Sequence, residues 1–198
     1  MRFLWYNGNG SKGELNPENS KRGENMDNNT ERSNLQFYVR KTDKNLIEIV
    51  EAFSIDRVKI GFRNFSLNEE KGSRVSASVD FYMSISELDL LCHNLLSGNI
   101  VKTINAGGSV PPMYKGSKRD GEVYSRTLSF NKSNKGLFFT ACEGPGKMNA
   151  TGAVMPLYKM QDAPNKVSIP LNNEEIKAFA IQGKRACDYY YNNVFGKK

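Results

Sequence analysis

The sequence contains only one histidine and three cysteines, which argues against several kinds of catalytic and metal-binding site. With His93 as the single histidine, no Ser-His-Asp or Cys-His group can be assembled. Cys92, Cys142 and Cys187 are widely spaced, odd in number and form no C-x-x-C pair, so a zinc site or a disulfide framework is not indicated. We therefore expect three buried thiols, no enzyme activity, and no resident metal or cofactor.

Long apolar runs are also missing from the sequence. No stretch approaches the roughly 18–20 apolar residues that a membrane-spanning helix requires. Residues 1–6 contain one arginine and an apolar stretch that is too short for the core of a signal peptide. The sequence therefore predicts a cytoplasmic protein without membrane association.

Residues 1–34 have almost no apolar side chains after Tyr6 and are rich in Asn, Gly, Ser, Glu and Lys. Such a composition buries too little apolar surface to offset the entropy lost on ordering, so we expect a disordered tail. Met26 within it is an alternative start site, which the sequence leaves open. Residues 35–198 are sufficient for one domain with a hydrophobic core.

The net charge of +7 is unevenly distributed along the chain. Residues 1–34 contribute zero, residues 35–100 contribute −1, and residues 101–198 contribute +8. A one-sided positive field favours a polyanionic partner, most often nucleic acid. A modest net charge is also common in proteins that need it only for solubility, and this alternative stays open.

One strand-turn-helix pattern occurs twice, with corresponding residues 88 positions apart. In each copy, alternating apolar residues predict a strand, and apolar residues at helical spacing predict the helix that follows. Ser84 with Glu87 predicts a capping box at the first helix. Asn172 with Glu175 predicts a second one. The copies comprise Val79, Phe81, Met83, Ser84, Glu87, Leu88 and Leu91, and Val167, Ile169, Leu171, Asn172, Glu175, Ile176 and Phe179.

The repeated pattern predicts an α+β fold of two similar halves, each a four-stranded antiparallel sheet followed by a helix. The halves extend over 35–98 and 122–195. The shift of 88 also superposes 35–42 on 123–130, both of which have the alternation of a strand. Between the halves, 99–121 is rich in Gly, Pro and basic residues and is expected to be a linker.

The last helix is expected at about 173–194 and carries Gly183 near its middle. A glycine inside a helix costs about 1 kcal/mol relative to alanine, so a close approach of another helix is the expected compensation. Because this helix is also long and aromatic, we expect chains to associate through their helices.

The nucleic-acid hypothesis depends on which side chains share a strand face. The alternation of Leu35, Phe37 and Val39 predicts that Tyr38 and Arg40 face outward. Exposed rings beside cations suit unpaired bases, because each base stacks with about 1–3 kcal/mol while cations hold the phosphates. The complete set of candidate contacts is Tyr38, Arg40, Lys59, Arg63, Phe65, Tyr82, Lys115, Lys118, Arg119, Tyr124, Arg126, Lys132 and Lys135.

Two readings of these strands stay open in the sequence. In 123–130 one face carries Tyr124, Arg126, Leu128 and Phe130, and the other carries Ser125, Thr127 and Ser129. The alternation does not say which of these faces meets water. The aromatic side chains also suit packing against a neighbouring sheet or subunit, since strands favour aromatic residues in any case.

Four strands and a helix, repeated once over 35–198, resemble the Whirly family of single-stranded DNA-binding proteins. The resemblance implies two antiparallel sheets that project from a helical centre, nucleic acid along the sheets, and a homo-oligomer such as the tetramer of that family. The KGKAAL strand signature of the plant members is absent, and the nearest string, 114–119, lacks the apolar end. A phage or mobile-element relative fits better than a plant-type member.

The sequence as a whole predicts sequence-tolerant binding of single-stranded DNA by a non-enzymatic protein that uses no cofactor. The basic residues of 101–198 are expected to supply most of the attraction. Two alternatives remain: an RNA-binding protein of the same fold, and a non-catalytic structural or assembly accessory protein.

Overall fold

The computed structural model describes residues 34–66 and 74–197, which form two antiparallel sheets and three α-helices. An α+β fold with two antiparallel sheets is therefore confirmed. The predicted tail, 1–34, lies outside the described residues except for Asn34, and so does Met26. Sheet 1 contains, in spatial order, β1 (Gln36–Lys41), β2 (Asn45–Ala52), β3 (Arg57–Phe65) and β4 (Val75–Ser84).

Sheet 2 and the helices make up the rest of the described chain. The strands are β5 (Met113–Arg119), β6 (Glu122–Lys132), β7 (Gly136–Met148), β8 (Val154–Pro156) and β9 (Asn165–Asn172). Their order is β5-β6-β7-β9, and β8 pairs with the far end of β7. The helices are α1 (Ile85–Leu96), α2 (Asn99–Asn105) and α3 (Asn173–Asn193).

The prediction of a linker at 99–121 is wrong for most of this segment, because the segment contains α2 and β5. Helix α2 has only seven residues, too few for a clear apolar period. Strand β5 is polar, with the sequence MYKGSKR, and is paired only with β6 along this segment. An edge strand of this composition lacks the apolar alternation by which strands are predicted.

Both predicted capping boxes are confirmed at the strand–helix junctions. The Ser84 amide donates to Glu87 Oε2 at 2.9 Å, and the Glu87 amide donates to Ser84 Oγ at 3.4 Å. The Asn172 amide donates to Glu175 Oε2 at 2.9 Å, and the Glu175 amide donates to Asn172 Oδ1 at 2.9 Å. These reciprocal bonds satisfy amides that the first turn leaves without helical partners. Each helix therefore begins directly where its strand ends.

The central strands of the two sheets pair in the same register. Ile60 of β3 lies opposite Phe81 of β4. Phe139 of β7 lies opposite Ile169 of β9. In both sheets every second residue of the central strand is a fully buried apolar residue: Val58, Ile60 and Phe62 on β3, and Leu137, Phe139 and Ala141 on β7.

The predicted superposition of 35–42 on 123–130 is wrong. This shift would superpose β1, which is an edge strand of sheet 1, on β6, which is the second strand of sheet 2. The shift of 88 holds for Phe81 and Ile169, whereas the counterparts Ile60 and Phe139 differ by 79. The segments that connect the strands differ in length, so one constant shift cannot align both sheets.

The hydrophobic core lies between the inner faces of the two sheets and is closed by α1 and α3. Phe62 and Phe81 enter it from sheet 1, Phe139 from sheet 2 and Phe179 from α3, and all four are fully buried. Phe139 and Phe179 meet edge to face with ring centroids 5.3 Å apart. Side chains from both sheets thus share a single core, which fixes the position of each sheet's outer face.

Helices α1 and α3 are antiparallel and in close contact at Gly183. A Cβ atom at this position would lie 2.4 Å from Cys92 Sγ, much closer than atoms can approach. One turn further along α3, the Cys187 thiol donates to the carbonyl of Ile85 at 3.5 Å. The close helix approach expected at Gly183 is therefore confirmed, and it occurs within the chain.

The three thiols are buried and free, as expected. Burial raises the pKa of Cys92 and of Cys187 to about 12, so both are protonated at neutral pH. Burial also raises the pKa of Cys142. None of the three is therefore a reactive thiolate.

Residues 149–164 connect β7 to β9 and fold over part of the outer face of sheet 2; we refer to them as the insert. Side chains of the insert pack against glycine residues of the sheet. A Cβ atom at Gly116 would lie 2.3 Å from Val154 Cγ2, and one at Gly144 would lie 2.8 Å from the ring of Tyr158. The hydroxyl of Tyr158 also donates to the Ser125 carbonyl at 3.0 Å.

The structure decides the question that alternation left open for strand β6. Leu128 and Phe130 belong to the core. Ser125 and Thr127, on the opposite face, have no exposed surface, and Ser129 is 5% exposed. Neither face of this part of β6 is therefore open to a ligand.

No helix within 34–66 and 74–197 is long and apolar enough to cross a membrane.

Candidate nucleic-acid interface

The outer face of sheet 1 brings together four of the predicted contacts. Lys59 of β3 lies directly opposite Tyr82 of β4, and both belong to the face turned away from the core. Arg63 and Phe65 follow further along β3, and Arg63 is on the same face. All four side chains are half-buried, so each one reaches solvent. A ring and an ammonium group thus stand side by side on neighbouring strands.

The cations of this face differ in whether they already interact with a carboxylate or an aromatic ring of the protein. Arg63 Nη2 forms an ion pair with Asp80 Oδ1 at 2.7 Å. Lys41 Nζ lies 5.6 Å from the centre of the Phe65 ring, a cation–π contact. Among the described residues, Lys59 has no ion pair. Lys59 is therefore the cation of this group best placed to meet a phosphate.

Tyr38 does not face outward, so this prediction is wrong. It pairs with the core residue Ile49, and its ring meets Phe179 edge to face with centroids 5.5 Å apart. The register of β1 shifts between Gln36 and Tyr38, which makes Phe37 an extra residue in the strand. Such a bulge reverses the facing of every residue beyond it. Burial and, second, the charge of Glu175 raise the pKa of the Tyr38 phenol.

Arg40 follows the bulge and also faces inward, contrary to the prediction. It pairs with the core residue Ile47. Its Nε donates to Glu175 Oε1 at 3.0 Å, and its Nη1 donates to Asn45 Oδ1 at 2.6 Å. Arg40 thereby ties β1 to the capping box of α3.

Lys115, Arg119, Tyr124 and Arg126 lie together on the inner face of sheet 2, beyond the core. Glu143 of β7 accepts from both arginines of this group. Arg126 is only 8% exposed, and the Arg119 guanidinium donates to Glu143 at 3.2 and 3.3 Å. The buried ion pair with Glu143 therefore accounts for Arg126 without a ligand.

Lys115 forms an ion pair with Glu87, the capping-box residue of α1. Burial alone would raise the pKa of Glu87. Hydrogen bonds from Lys115 and from Ser84 outweigh this effect and hold the pKa of Glu87 below the ordinary 4.5. Sheet 2 thus supplies a cation to the capping box of α1, as β1 does to that of α3.

The lowered pKa of Glu87 predicts a specific loss of stability in acid. A carboxyl whose pKa is lower in the folded chain stabilises it above about pH 4.5, and this contribution is lost as the pH falls through the folded pKa. Glu87→Gln removes that dependence and can still form the capping box. Because Glu87 is 42% exposed, we expect less than about 1 kcal/mol, or a few degrees in Tm.

The measurement is Tm at pH 7 and pH 3 for the wild type and the variant. The wild type should lose more on acidification than Glu87→Gln. Glu174→Gln is the matched control, because Glu174 is 81% exposed. Equal acid losses in wild type and Glu87→Gln would contradict the role assigned to this ion pair.

The three remaining predicted lysines lie away from these groups. Lys118 is exposed and pairs with Val123 at the edge of sheet 2. Lys132 and Lys135 border the turn between β6 and β7, and with Arg40 they line a groove of about 430 Å³. The structure therefore distributes the thirteen predicted contacts over several surfaces rather than one.

The sequence prediction missed Asp80 and Glu143, two carboxylates that form ion pairs with predicted contact residues. Asp80 engages Arg63, and Glu143 engages Arg126. Antiparallel pairing across the β6–β7 turn places Arg126 and Glu143 opposite each other, and counting the register outward from that turn would have indicated the pair.

Neither a scan against protein-family models nor a search of curated proteins finds a match to this sequence. Within the described parts of the chain, no three His, Cys, Asp or Glu side chains are arranged to hold a metal ion. The functional proposal therefore rests on the geometry of the surfaces described above.

Proposed function

We propose that this chain binds single-stranded DNA with little base preference, on the outer face of sheet 1. The observation that carries the proposal is the pair of Lys59 and Tyr82, which lie opposite each other on β3 and β4. A base that stacks on the Tyr82 ring would bring its phosphate within reach of Lys59. Stacking contributes about 1–3 kcal/mol per base and depends little on base identity.

The extent of the face suits an extended strand. Phe65 lies six residues along β3 from Lys59, a distance of roughly 20 Å at the usual rise of a strand. Its ring, with Lys41 beside it, provides a second place for a base. A duplex offers only stacked base edges to such a face, whereas a single strand can turn its bases onto the rings.

The wider charge distribution supports the same ligand class. The positive excess of 101–198 lies outside sheet 1 and contributes a long-range attraction to polyanions. Two sheets, each followed by a capped helix, are also consistent with the Whirly-like pairing of halves, which we include in the proposal.

Association of chains through the helices remains part of the proposal, with a changed contact surface. Gly183 is used within the chain and is not available to a partner. The end of α3 and the residues just after it expose Tyr191, at 49%, and Phe195, at 66%. An aromatic surface of this kind suits contact between copies.

The test is a fluorescence-anisotropy titration of a mixed-sequence single-stranded oligonucleotide over a salt series. We expect salt-sensitive binding that is weaker for the matching duplex. Tyr82→Ala should weaken binding about 5- to 150-fold, corresponding to the loss of one stacked base. Lys59→Ala should lower the salt slope by about one phosphate contact.

Tyr114→Ala is the matched control, since it removes an exposed tyrosine from β5 of sheet 2, outside the proposed contacts. Wild-type affinity in Tyr82→Ala and Lys59→Ala would place binding elsewhere. An absence of binding at low salt would reject the proposal and favour a structural accessory role. Tighter binding of an RNA oligonucleotide of the same sequence would shift the ligand from DNA to RNA.

A further inference from the structure

Two grooves meet at Phe138 on the outer face of sheet 2, and residues of the insert border the smaller one. One has a volume of about 430 Å³ and includes Arg40, Lys132 and Lys135. The other has a volume of about 360 Å³ and includes Lys166. Phe138 is half-buried and lines both grooves. An aromatic ring therefore separates two cation-lined depressions.

The position of Phe138 is the counterpart of the proposed contact on sheet 1. Phe138 lies opposite Pro170 between β7 and β9. Lys59 lies opposite Tyr82 between β3 and β4, in the same register relative to the core strands. The corresponding cross-strand pair on each outer face thus contains one aromatic ring, on β4 in sheet 1 and on β7 in sheet 2.

The cations around Phe138 are largely free to bind a ligand. Lys132, Lys135 and Lys166 are exposed and, within the part of the chain that the structure describes, form no ion pairs. Glu175 is the one carboxylate among the described residues of the larger groove, and Arg40 already balances it. Lysines without a carboxylate partner among the described residues therefore lie on either side of an apolar ring.

We propose that Phe138 is the stacking platform of a second subsite for single-stranded nucleic acid. Lys132 and Lys135 would hold the phosphate on one side of the stacked base, and Lys166 the phosphate on the other. A simple anion needs only the cations, whereas a nucleotide also uses the ring and the exposed Pro170 beside it. The ligand class rests on the proposed function, and the subsite is new to it.

Two subsites on one chain have a consequence for affinity. A strand long enough to reach both is held bivalently, so its affinity exceeds that of a short strand at either subsite alone. A variant of one subsite should therefore weaken binding of long oligonucleotides without abolishing it.

The first test is photocrosslinking of the full chain with an oligonucleotide that contains 5-iododeoxyuridine, followed by mass spectrometry of the tryptic peptides. We expect crosslinks in the peptide 136–147, which contains Phe138, as well as in the peptide that contains Tyr82. Crosslinks to the Tyr82 peptide alone would overturn the second subsite and leave the first.

The second test measures binding by anisotropy in a Lys59→Ala/Tyr82→Ala background. Residual salt-sensitive binding is expected there, and Lys135→Ala with Phe138→Ser should reduce it about 5- to 150-fold. Lys102→Ala is the matched control, an exposed lysine on α2 outside both grooves. Lys135→Ala is also examined alone, because an exposed lysine can be removed without affecting folding.

The outcomes separate the two proposals. A wild-type chain that binds no oligonucleotide overturns both of them. Residual binding that Lys135→Ala and the Phe138 variant leave unchanged, with native Tm, overturns only the second subsite. Loss of binding with Lys135→Ala and retention with Lys102→Ala supports it.

Discussion

Gly183→Ala is expected to destabilise the folded chain by about 2 kcal/mol. In an exposed helix the same change would stabilise by about 1 kcal/mol, because alanine favours the helix. Here the new Cβ would lie 2.4 Å from Cys92 Sγ, with Leu88 and Ile49 side-chain atoms at 3.5 and 3.6 Å. Overpacking of this kind costs about 3 kcal/mol and outweighs the gain in helix propensity. Thermal unfolding should show a Tm lower by about 4–8 °C.

The clash is specific, so a second substitution should relieve it. Cys92→Ala removes the Sγ atom that the new methyl group would meet, and the double variant should regain most of the lost stability. A double-mutant cycle measures this coupling. Ala178→Gly, at an exposed position of α3, is the control and should cost about 1 kcal/mol whether or not Cys92 is replaced. Additive effects of Gly183→Ala and Cys92→Ala would contradict the close contact.

The strand–helix junctions were predictable because their signals are local. A capping box uses residues three positions apart, and the strand before it shows its own alternation. Ser84 with Glu87 and Asn172 with Glu175 therefore indicated both helix starts correctly. Gly183 indicated a close helix contact for the same reason, although the sequence could not show that the partner helix belongs to the same chain.

The facing of β1 was not predictable, because one extra residue decides it. Alternation assigns Tyr38 to the outer face only if pairing is regular along the whole strand. The shift of register before Tyr38 moves it and Arg40 to the inner face, where Phe179 and Glu175 receive them. The bulge arises from the pairing of β1 with β2. The alternation of residues within β1 contains no information about that pairing.

The candidate site was predictable in part. Lys59 and Tyr82 belong to strands with a clear apolar alternation, so their outward facing followed from the pattern. Phe138 was missed because the strand around it has consecutive apolar residues, Leu137 to Phe139, which hide the period of two. The packing of the insert was also missed. A glycine such as Gly116 gives no signal by itself, because its role is to leave room for Val154, which is distant in the sequence.

Glu143→Gln is expected to destabilise the chain by about 3 kcal/mol, the largest single effect we predict. The carboxylate of Glu143 is 14% exposed and pairs with Arg126, whose side chain is 10% exposed. Removal of the negative charge leaves a nearly buried guanidinium without a counter-ion, which costs far more than the loss of a surface pair. Denaturant unfolding should show a lower midpoint with an unchanged slope.

The cause of this effect can be separated from a general sensitivity of β7. Glu174→Gln removes a carboxylate that is 81% exposed and should change stability by less than about 0.5 kcal/mol. Replacing both members of the buried pair, as Arg126→Leu with Glu143→Leu, should restore much of the stability, because no unpaired charge remains. A double variant as unstable as Glu143→Gln would contradict this explanation.

The same variants decide whether Arg126 contacts nucleic acid, as the sequence predicts, or only stabilises sheet 2. If the charge of Arg126 is consumed by Glu143, the double leucine variant should bind single-stranded DNA with wild-type affinity and an unchanged salt slope. Tyr82→Ala should weaken binding in the same assay. A lower salt slope in the leucine variant would return Arg126 to the set of phosphate contacts. We therefore expect a basic residue to contribute to binding only when no carboxylate of the fold already neutralises it, as Glu143 neutralises Arg126.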